Sequence, residues 1–424
     1  MKNILVFPCG TEIGLEINRS LKDTKHFRLF GASSVDDHGK YVYSNYINGI
    51  PFVDDKSFIS EINKIIDENK IDFIIPAHDS VVLKMAECQA ELHATVVTSP
   101  AETCRICRSK RETYRVFDGL IPVPRIVDIE KNAEFPIFLK PDVGQGSKGT
   151  YKARNKEEAL FYSKLNPELI ALEYLPGKEY TVDCFTNVNG ELLFAEGRER
   201  KRINNGISVN SVKCDNSKFK ELALRINATL SFRGVWFYQV KERSDGELVL
   251  LEIAPRIAGT MALFRVEGVN FIQLSLFDRM GIHVDILYNN LDVQIDRALH
   301  SVFASNLDYD CVYVDFDDTV IIKDRVNTDL IKFLYQVKNS KKMLILITKH
   351  VNDIQKSLVK YCISQLLFDE IIQIEKDEKK SAFIKRPRAI LIDDSFKERM
   401  EVSAALSIPV FDIDAVELLL NYRE

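Results

Sequence analysis

Short apolar runs alternate with amphipathic segments over the first hundred residues of the chain. Continuous apolar runs bounded by turn residues predict strands that are buried on both faces of a parallel sheet. The segment 57–69 has helical spacing, with Phe58, Ile62, Ile65 and Ile66 on one face. A repeated alternation of strand and helix predicts a doubly wound parallel sheet. The predicted strands are 3–7, 27–32, 72–75 and 95–98, and the predicted helices are 14–21, 57–69 and 81–92.

The pattern changes after residue 100. Residues 103–117 predict a single helix, which leads into an extended connection. Further along, apolar runs are separated by the turn sequences Val-Asn-Gly-Glu at 188–191 and Ser-Asp-Gly-Glu at 244–247, which are typical of antiparallel hairpins. This part of the chain is therefore predicted to be α+β, and residues 291–306 form a transition with little signal.

Strand–helix alternation returns from residue 310 to the end of the chain. The sequence therefore predicts a multidomain protein of α/β and α+β class, divided into residues 1–100, 101–305 and 306–424. The predicted strands of the last part are 311–314, 343–347, 371–374, 389–392 and 410–411.

Composition and charge narrow the function classes. The 424 residues are 46% hydrophobic and 28% charged, as in an ordinary globular protein. A net charge of −5 gives no electrostatic reason to expect nucleic acid or an anionic membrane as a partner. We expect a reduced, cytoplasmic protein without a signal peptide, because the eight cysteines are scattered and the single CxxC, Cys104 and Cys107, has no second pair to complete a zinc site.

A glycine-rich segment, Gly-Gln-Gly-Ser-Lys-Gly at 144–149, follows a predicted strand that ends at Lys140. Small residues let backbone N–H groups approach phosphate oxygens, and a lysine can neutralise the phosphate charge. The segment does not match a P-loop. A basic cluster at 198–202 is interpreted as a solvated face or an anion site.

Further along the chain lie residues suited to the rest of a nucleotide. The strand and turn at 169–177 can offer backbone groups to an adenine edge, and Glu179 can hold ribose hydroxyls. Gln239 and Glu252 lie on two strands joined by a hairpin turn, so that both side chains can share one face. Their oxygens are a suitable pair for magnesium, and Arg256 can clamp the phosphate that is transferred.

These blocks, in this order, resemble the ATP-grasp superfamily over residues 1–305, and most closely the carbamoyl-phosphate-synthase-like ligases. The resemblance implies a Rossmann-like domain before the ATP-grasp fold. It also implies that ATP phosphorylates a carboxylate, and that an amine or related nucleophile then attacks the acyl phosphate to give an amide and ADP. The implied nucleotide-binding residues are Lys110, Lys140, Gly146, Ser147, Glu173, Leu175 and Glu179, the magnesium ligands are Gln239 and Glu252, and Arg256 stabilises the transferring phosphoryl group.

The chain departs from this family at Ala254, where the family usually has an asparagine that ligates metal. Alanine offers no side-chain ligand, so either one magnesium is held less fully or water fills the gap. The acceptor pocket is not specified by the sequence. Its candidate residues are His78, Asp79, Arg202, Arg256 and Arg265.

A second constellation begins where the predicted strand 311–314 ends. Asp315 and Asp317 follow it, with Thr319 two residues further on. At the carboxyl end of a strand such side chains open into the ligand crevice of an α/β sheet. Asp315 can attack phosphorus and Asp317 can act as general acid and then base. Later positions that complete the set are Thr348, a lysine cluster at Lys376, Lys379, Lys380 and Lys385, and Asp393 with Asp394.

This constellation resembles the haloacid-dehalogenase-type phosphohydrolases over residues 308–424. The resemblance implies Asp315 as nucleophile, Asp317 as acid and base, Thr348 as the phosphate-binding hydroxyl, and Lys380 as the lysine, with Lys379 as the alternative. Asp315, Asp317 and Asp393 are the implied metal ligands. The short stretch between Thr319 and Thr348 leaves no room for a large cap domain, so a capless site is expected.

Together the two sets predict a bifunctional enzyme, an ADP-forming ligase fused to a magnesium-dependent phosphatase of the same pathway. The expected cofactors are ATP and Mg²⁺, with Mn²⁺ as an alternative ion. The expected partners are a small carboxylate, an amine and a phosphorylated metabolite, and a homodimer is a family-level expectation. One alternative is a phosphatase regulated by a catalytically weak nucleotide-binding module, and another is a scaffold with vestigial sites.

Overall fold

The computed structural model describes residues 1–131, 133–144 and 146–423. The chain forms two compact units, Met1–Leu299 and His300–Glu424. The finer division of the first unit at residue 100 stays a prediction.

The first unit begins with a five-stranded, wholly parallel sheet of order β3-β2-β1-β4-β5. This confirms the predicted parallel sheet, and the strand β3 and the short helix α2 are additions to the prediction. The strands are β1 (Lys2–Phe7), β2 (Phe27–Ser33), β3 (Asn45–Asn48), β4 (Phe73–Pro76) and β5 (Thr95–Val96), and the helices are α1 (Glu12–Leu21), α2 (Gly39–Val42), α3 (Phe58–Asn69) and α4 (Asp79–Glu87).

The helix α3 shows why the apolar spacing was informative. Its buried residues are the four predicted for its apolar face, Phe58, Ile62, Ile65 and Ile66. They pack in the core on one side of the sheet. The helix ends at Lys70, whose left-handed backbone (φ 51°) cannot continue it.

The prediction of one helix over 103–117 is wrong, because the chain forms two helices, α5 (Ala101–Arg108) and α6 (Lys110–Phe117). Ser109 between them has an extended backbone (φ −103°, ψ 123°), and its hydroxyl accepts from the Glu112 N–H as the N-cap of α6. The same hydroxyl donates to the carboxylate of Asp142 at 3.0 Å. Asp142 is distant in sequence from Ser109, so the break depends on a long-range contact. Residues 103–117 contain no proline or glycine that would have signalled it.

The rest of the first unit contains two antiparallel sheets, of order β7-β6-β8 and β13-β12-β9-β10-β11-β14. The hairpin turns at 188–191 and 244–247 are confirmed between β9 and β10 and between β12 and β13. The strand β14, inside the weak-signal region, was not predicted. The strands are β6 (Ile137–Pro141), β7 (Tyr151–Ala153), β8 (Leu169–Glu173), β9 (Glu179–Thr186), β10 (Leu192–Asn204), β11 (Ile207–Cys214), β12 (Gly234–Glu242), β13 (Leu248–Ala254) and β14 (Gln294–Asp296), and the helices are α7 (Lys156–Leu165), α8 (Ser217–Thr229), α9 (Ala262–Arg265) and α10 (Phe271–Arg279).

The two faces of strand β12 differ. One face packs in the core, and the other carries Gln239, which was predicted for the site. Trp236 and Tyr238 are fully buried, and the Trp236 ring stacks on Phe232 with centroids 4.0 Å apart. Both belong to the core that includes residues of α8. Because side chains alternate along a strand, Phe237 and Gln239 point to the opposite face. The buried face therefore holds the strand that presents Gln239.

The second unit is built on a five-stranded parallel sheet of order β19-β18-β15-β20-β21. The strand–helix alternation predicted for this part is confirmed. Between Thr319 and Thr348 the chain forms a small hairpin and one helix. The strands are β15 (Cys311–Val314), β16 (Ile321–Ile322), β17 (Arg325–Val326), β18 (Met343–Thr348), β19 (Glu370–Gln373), β20 (Ala389–Ile392) and β21 (Val410–Phe411), the helices are α11 (Thr328–Asn339), α12 (Ile354–Lys360) and α13 (Phe396–Leu406), and the 3₁₀ turns are Gln365–Leu367, Lys380–Ala382 and Ile413–Leu418.

Two global properties complete the description. All eight cysteines are free thiols. Among the helices that the structure describes, none is both long enough and apolar enough to cross a membrane.

Candidate functional site

Gln239 and Glu252 are direct cross-strand partners in the β12–β13 hairpin. Side chains in such a pair lie on the same face of the sheet, with Cβ atoms about 5 Å apart. Both residues line the same cleft. The structure thus brings together the two residues predicted to ligate magnesium.

This first cleft, of about 920 Å³, is lined from both antiparallel sheets. All of the predicted nucleotide-binding residues contribute to its wall. Gln145 of the glycine-rich segment lies outside the described residues. The predicted residues that line the cleft are Lys110, Lys140, Gly146, Ser147, Glu173, Leu175 and Glu179.

Two of the lysines that line the cleft have lowered pKa values. Lys140 is buried, and its Nζ lies 3.4 Å from the carbonyl of Leu251 and 5.4 Å from the Tyr114 ring centroid. Burial, together with the nearby Lys110 and against the opposing effect of Glu252, lowers the pKa of Lys140 to about 7. Burial also lowers the pKa of Lys110. A phosphate group in the cleft would restore the charged forms.

The glycine-rich segment packs against the turn between β10 and β11. A Cβ at Gly206 would lie 2.2 Å from the backbone carbon of Gly146, and Gly206 has a φ of +76°. Gly146 and Ser147 also have positive φ values, of 59° and 52°. A side chain at Gly206 would therefore displace the part of the segment that lines the cleft.

Glu173 lies at the end of β8, where an adenosine contact was predicted. Its carboxylate pairs with Arg243 Nη2 at 2.6 Å and with Arg125 Nε at 3.1 Å. Burial acts to raise the pKa of Glu173, but these two arginines outweigh it and the pKa is lowered. Both carboxylate oxygens of Glu173 thus contact the two arginines. The neighbouring Leu175 is buried and contributes apolar surface to the cleft.

Arg200 was not predicted as an individual site residue, although it belongs to the basic cluster at 198–202. Its Nη1 donates to the carboxylate of Glu179 and, at 2.8 Å, to the amide oxygen of Gln239. Its Nη2 donates to the Gly206 carbonyl at 2.8 Å. Only 7% of the side chain is exposed. Arg200 therefore connects the predicted ribose ligand, the predicted metal ligand and the β10–β11 turn.

A second cavity, of about 1060 Å³, shares part of its wall with the first cleft. The shared residues include Lys110, Arg200, Gln239 and Glu252. Molecules in the two cavities would thus reach the same side chains. This arrangement suits phosphoryl transfer between two bound substrates.

Arg256 lines the second cavity in a two-pronged ion pair with Asp79. The Arg256 Nε lies 2.6 Å from Asp79 Oδ1, and Nη2 lies 2.8 Å from Oδ2. Burial acts to raise the pKa of Asp79, but Arg256 outweighs it and the pKa is lowered. Asp79 starts α4 just after the carboxyl end of β4, the usual position of ligand-facing residues in a parallel sheet.

Two of the residues predicted for the acceptor pocket are held in ion pairs of their own. Arg202 is 59% exposed and pairs with Asp296, because it lies past a bulge near the end of β10. Arg265 pairs with the buried Glu16 at 2.6 Å. Neither of these described residues lines the second cavity.

A third residue predicted for the acceptor pocket, His78, does not line the second cavity either. His78 caps α4 and accepts from the Ser80 N–H at 3.3 Å, and burial lowers its pKa. Arg108 and Arg297 line the second cavity and were not predicted. Arg297 pairs with Glu12 at 3.1 Å and packs on Gly259, where a Cβ would lie 2.9 Å from its Nη1.

The second unit has its own cluster of acidic and basic groups at the carboxyl end of β15. Lys380 Nζ lies 2.6 Å from Asp315 Oδ1 and 2.6 Å from Asp393 Oδ2, and the lysine side chain is 2% exposed. Burial raises the pKa of Asp315 to about 7, and Lys380 opposes that rise. Burial acts to lower the pKa of Lys380, but the two carboxylates outweigh it and the pKa is raised. Lys379, the alternative, is exposed.

Three carboxylates can hold a hard cation here. Oxygen atoms of Asp315, Asp393 and Asp394 all lie within 4.8 Å of one another. Carboxylate oxygens are the ligands that magnesium prefers. Asp394 also accepts from the Thr319 hydroxyl at 3.1 Å. The group contains two of the three predicted metal ligands, Asp315 and Asp393. Its third member is Asp394, whereas the third predicted ligand was Asp317.

The Asp317 side chain instead points to a histidine that was not predicted. His350 Nδ1 lies 2.9 Å from each Asp317 carboxylate oxygen, and its Nε2 lies 2.7 Å from the Ser357 hydroxyl. The backbone N–H of His350 donates to the Thr348 hydroxyl at 3.1 Å. Asp317 is 54% exposed, whereas His350 is 12% exposed. The histidine thus links the predicted acid–base residue to the predicted phosphate-binding residue.

Comparisons with known proteins agree with the architecture of the first unit. A family model described as "ATP-grasp in the biosynthetic pathway with Ter operon" matches residues 165–297. A biotin carboxylase complex from Campylobacter jejuni is similar in structure, with a TM-score of 0.57 and 14% sequence identity over 67% of this chain and 72% of that one. No curated protein sequence matches the chain.

Two ligases are also similar in fold. The L-amino acid ligase from Bacillus licheniformis has a TM-score of 0.54 and 16% identity, over 65% of this chain and 73% of that one. The N5-carboxyaminoimidazole synthetase from Staphylococcus aureus has a TM-score of 0.55 and 16% identity, over 67% of this chain and 78% of that one. The chain therefore contains an ATP-grasp domain. Within that class, the family model that matches is the one associated with the Ter operon.

Proposed function

We propose that the first unit is an ATP- and magnesium-dependent ligase that joins a small carboxylate to an amine or related nucleophile, most like the carbamoyl-phosphate-synthase-like ligases. The observation that supports this proposal is the wall shared by the two cavities. Lys110, Arg200, Gln239 and Glu252 face both of them. The first cleft would hold ATP and the second would hold the acceptor.

The proposed roles on the nucleotide side follow from charge and burial. Lys110 and Lys140 bind phosphate oxygens and neutralise their charge, with backbone groups of Gly146 and Ser147 alongside. Leu175 packs on the adenine. Glu173 holds Arg125 and Arg243 in place at the end of the cleft where the adenosine would lie. Glu179 faces the ribose and also holds Arg200 in place.

Glu252 would hold magnesium through its carboxylate, and Gln239, the second predicted ligand, offers an amide oxygen on the same face of the hairpin. When bound, the ion neutralises phosphate charge and orients the phosphates. Arg256 then clamps the phosphoryl group, in an orientation that Asp79 maintains. A guanidinium fixed in this way before the reaction stabilises developing charge without reorganising.

The reaction proceeds in two steps. A carboxylate oxygen of the acceptor attacks the γ-phosphorus, the bond to the β-phosphate oxygen breaks, and ADP leaves. The product is an acyl phosphate. The amine nitrogen then attacks the acyl carbon, inorganic phosphate leaves, and the nitrogen loses a proton to give the amide. Cationic groups of the second cavity, including Arg108 and Arg297, would bind the carboxylate substrate.

We propose that the second unit is a capless, haloacid-dehalogenase-like phosphohydrolase that acts on a phosphorylated metabolite of the same pathway. The ion pairs that join Lys380 to Asp315 and Asp393 support this proposal. Asp315 attacks phosphorus and the leaving group takes a proton from Asp317. Water, deprotonated by Asp317, then cleaves the aspartyl phosphate. Thr348 binds a phosphate oxygen, and Asp315, Asp393 and Asp394 would hold the magnesium ion.

A second candidate function is a phosphatase that is regulated by a catalytically weak ATP-grasp module. Ala254 favours it, because this buried side chain offers no metal-binding oxygen. In either case the proposal places the protein in the cytoplasm, with Mn²⁺ as an alternative ion and a homodimer as the assembly.

The test is a magnesium-dependent screen for ADP release with pooled amino acids and small carboxylates. The Asp315→Asn protein is used, so that phosphatase activity does not alter the readout. We expect ADP to form with one acid and to increase with one amine. Nucleotide binding without ADP formation in any pool would instead favour the regulatory module. A generic aryl phosphate tests the second unit, since its hydrolysis should be lost in Asp315→Asn.

A further inference from the structure

Arg200 places a positive charge beside the Gln239 amide oxygen, the atom predicted to ligate a metal ion. Its guanidinium donates to the Gln239 amide oxygen at 2.8 Å, from a side chain that is 7% exposed. The same group donates to Glu179 and to the Gly206 carbonyl. The amide oxygen of Gln239 thus already has a positively charged neighbour that belongs to the protein.

The remaining donors of the cleft fit one divalent ion better than two. Glu252 offers a carboxylate, and the phosphates and water can complete an octahedral shell around a single ion. A second ion would need Gln239 and residue 254 as further donors. The Gln239 oxygen is engaged by Arg200, and Ala254 has no side-chain oxygen. Two cations that share one amide oxygen would also repel each other.

Arg200 is also unlike an ordinary structural ion pair, as its neighbour on the same strand shows. Arg198 is fully buried and directs both Nε and Nη2 to Asp183, which forms a closed pair. Arg200 instead divides its two Nη groups among the Glu179 carboxylate, the Gln239 amide oxygen and a backbone carbonyl, and its buried Nε has no acceptor among the described residues. Its charge is therefore less fully matched within the protein. Glu179, its carboxylate partner, also pairs with Lys241 at 3.6 Å.

We propose that Arg200 supplies, from the protein, the positive charge that a second divalent ion would bring, so that the nucleotide binds with one divalent ion held by Glu252. This inference rests on the proposed nucleotide site of the first unit. It assigns Arg200 a role in charge compensation at the wall shared by both cavities. It also accounts for Ala254, because a one-ion site does not need a ligand at that position.

The test counts bound ions directly. The full chain is dialysed against Mn²⁺ with and without the non-hydrolysable analogue β,γ-methylene-ATP, and bound Mn²⁺ is measured by electron paramagnetic resonance. The difference between the two samples isolates the nucleotide-dependent ions, because ions in the carboxylate cluster of the second unit contribute to both. We expect the analogue to bring one Mn²⁺ per chain, with a spectrum free of coupling between neighbouring ions. Uptake of two ions, or a coupled pair, would overturn the inference.

Variants test whether Arg200 itself excludes the second ion. The double variant Arg200→Gln/Ala254→Asn should take up two nucleotide-dependent ions with a coupled spectrum, and uptake of one would show that Arg200 does not exclude the second. Lys201→Gln is the matched control, because Lys201 is an exposed neighbour on β10, and it should keep the wild-type count. Labelled nucleotide is followed in the same dialysis. A wild-type chain that binds no nucleotide would overturn the proposed function itself, and this inference with it, whereas nucleotide binding with two ions overturns the inference alone.

Discussion

Arg256 and Asp79 form a two-pronged ion pair, with contacts of 2.6 and 2.8 Å, that joins the end of β13 to the start of α4. The residues are 177 positions apart in the chain. The pair connects the parallel sheet of the first unit to the hairpin that presents Glu252. We infer that it orients the arginine for its proposed action on the transferring phosphoryl group.

The first prediction concerns this pair. Asp79→Asn keeps the size of the side chain but removes the charge that orients Arg256. ADP formation should fall about 10- to 100-fold in kcat/KM, which corresponds to about 1.4–2.8 kcal/mol of lost transition-state stabilisation. Steady-state measurement of ADP release checks this. Glu87→Gln, at the other end of α4, is the control and should keep the wild-type rate, and an Asp79→Asn rate equal to wild type would contradict the role of the pair.

The second prediction concerns protons taken up with the nucleotide. Burial lowers the pKa of Lys140 to about 7, so this lysine is mostly neutral at pH 8 in the empty cleft. Phosphate favours the charged form, and binding at pH 8 should therefore take up a proton, whereas binding below pH 6 should take up little. Calorimetry in buffers of different ionisation enthalpy measures this uptake.

Lys140→Met should lose most of the uptake at pH 8. Lys152→Met, which removes a lysine that lies over the Tyr174 ring, is the control and should keep it. A binding enthalpy that does not depend on the buffer at pH 8 would contradict the assignment of Lys140 to the phosphates.

The third prediction concerns Lys380. Lys380→Met leaves Asp315 and Asp393 buried without their cation, and removal of one partner from a buried ion pair costs about 3–5 kcal/mol. The second unit should therefore be destabilised, and Mg²⁺ should restore part of the loss because it replaces the missing charge. Chemical denaturation with and without Mg²⁺ measures both effects. Lys379→Met should behave as wild type, and equal stability of the two variants would show that Lys380 does not hold the carboxylates.

The fourth prediction concerns His350 as a positioning residue for Asp317. Both Asp317 oxygens lie 2.9 Å from its Nδ1. His350→Asn should lower kcat for an aryl phosphate about tenfold while KM changes less than about twofold, since the histidine orients the proton donor without touching substrate. Ser357→Ala should cost less than His350→Asn, because it removes a contact one step further from Asp317. A change confined to KM would argue against this role.

Much of the architecture was predictable because it depends on local periodicity. The apolar runs of β1 and β15 and the amphipathic pattern of α3 each specify a buried face. The break at Ser109 was not predictable in the same way, since it depends on Asp142, a partner from another part of the chain. The three-residue strand β14 has too little pattern of its own to be recognised before it pairs with β11.

The residues of the candidate sites also divide into those that local sequence pattern predicts and those whose position depends on the fold. Gln239, Glu252 and Asp315 could be predicted because motifs place them at strand ends and hairpins. Arg200 could not, because a run of charges at 198–202 has the same composition whether it faces solvent or a polar cleft. Along β10 every second side chain points inward, and so Arg198 and Arg200 are buried whereas Lys201 is exposed. His350 lies two residues after Thr348, and that nearness to a motif residue was the one signal that it gave.

The most direct test of the central claim follows oxygen through the ligase reaction. The acid found in the ADP screen is labelled with oxygen-18 in its carboxylate and incubated with ATP, Mg²⁺ and the amine, again with the Asp315→Asn protein. If the carboxylate is activated as an acyl phosphate, one labelled oxygen should appear in the released inorganic phosphate for each amide formed. Unlabelled phosphate formed together with the amide would contradict an acyl phosphate and, with it, the proposed chemistry of the first unit.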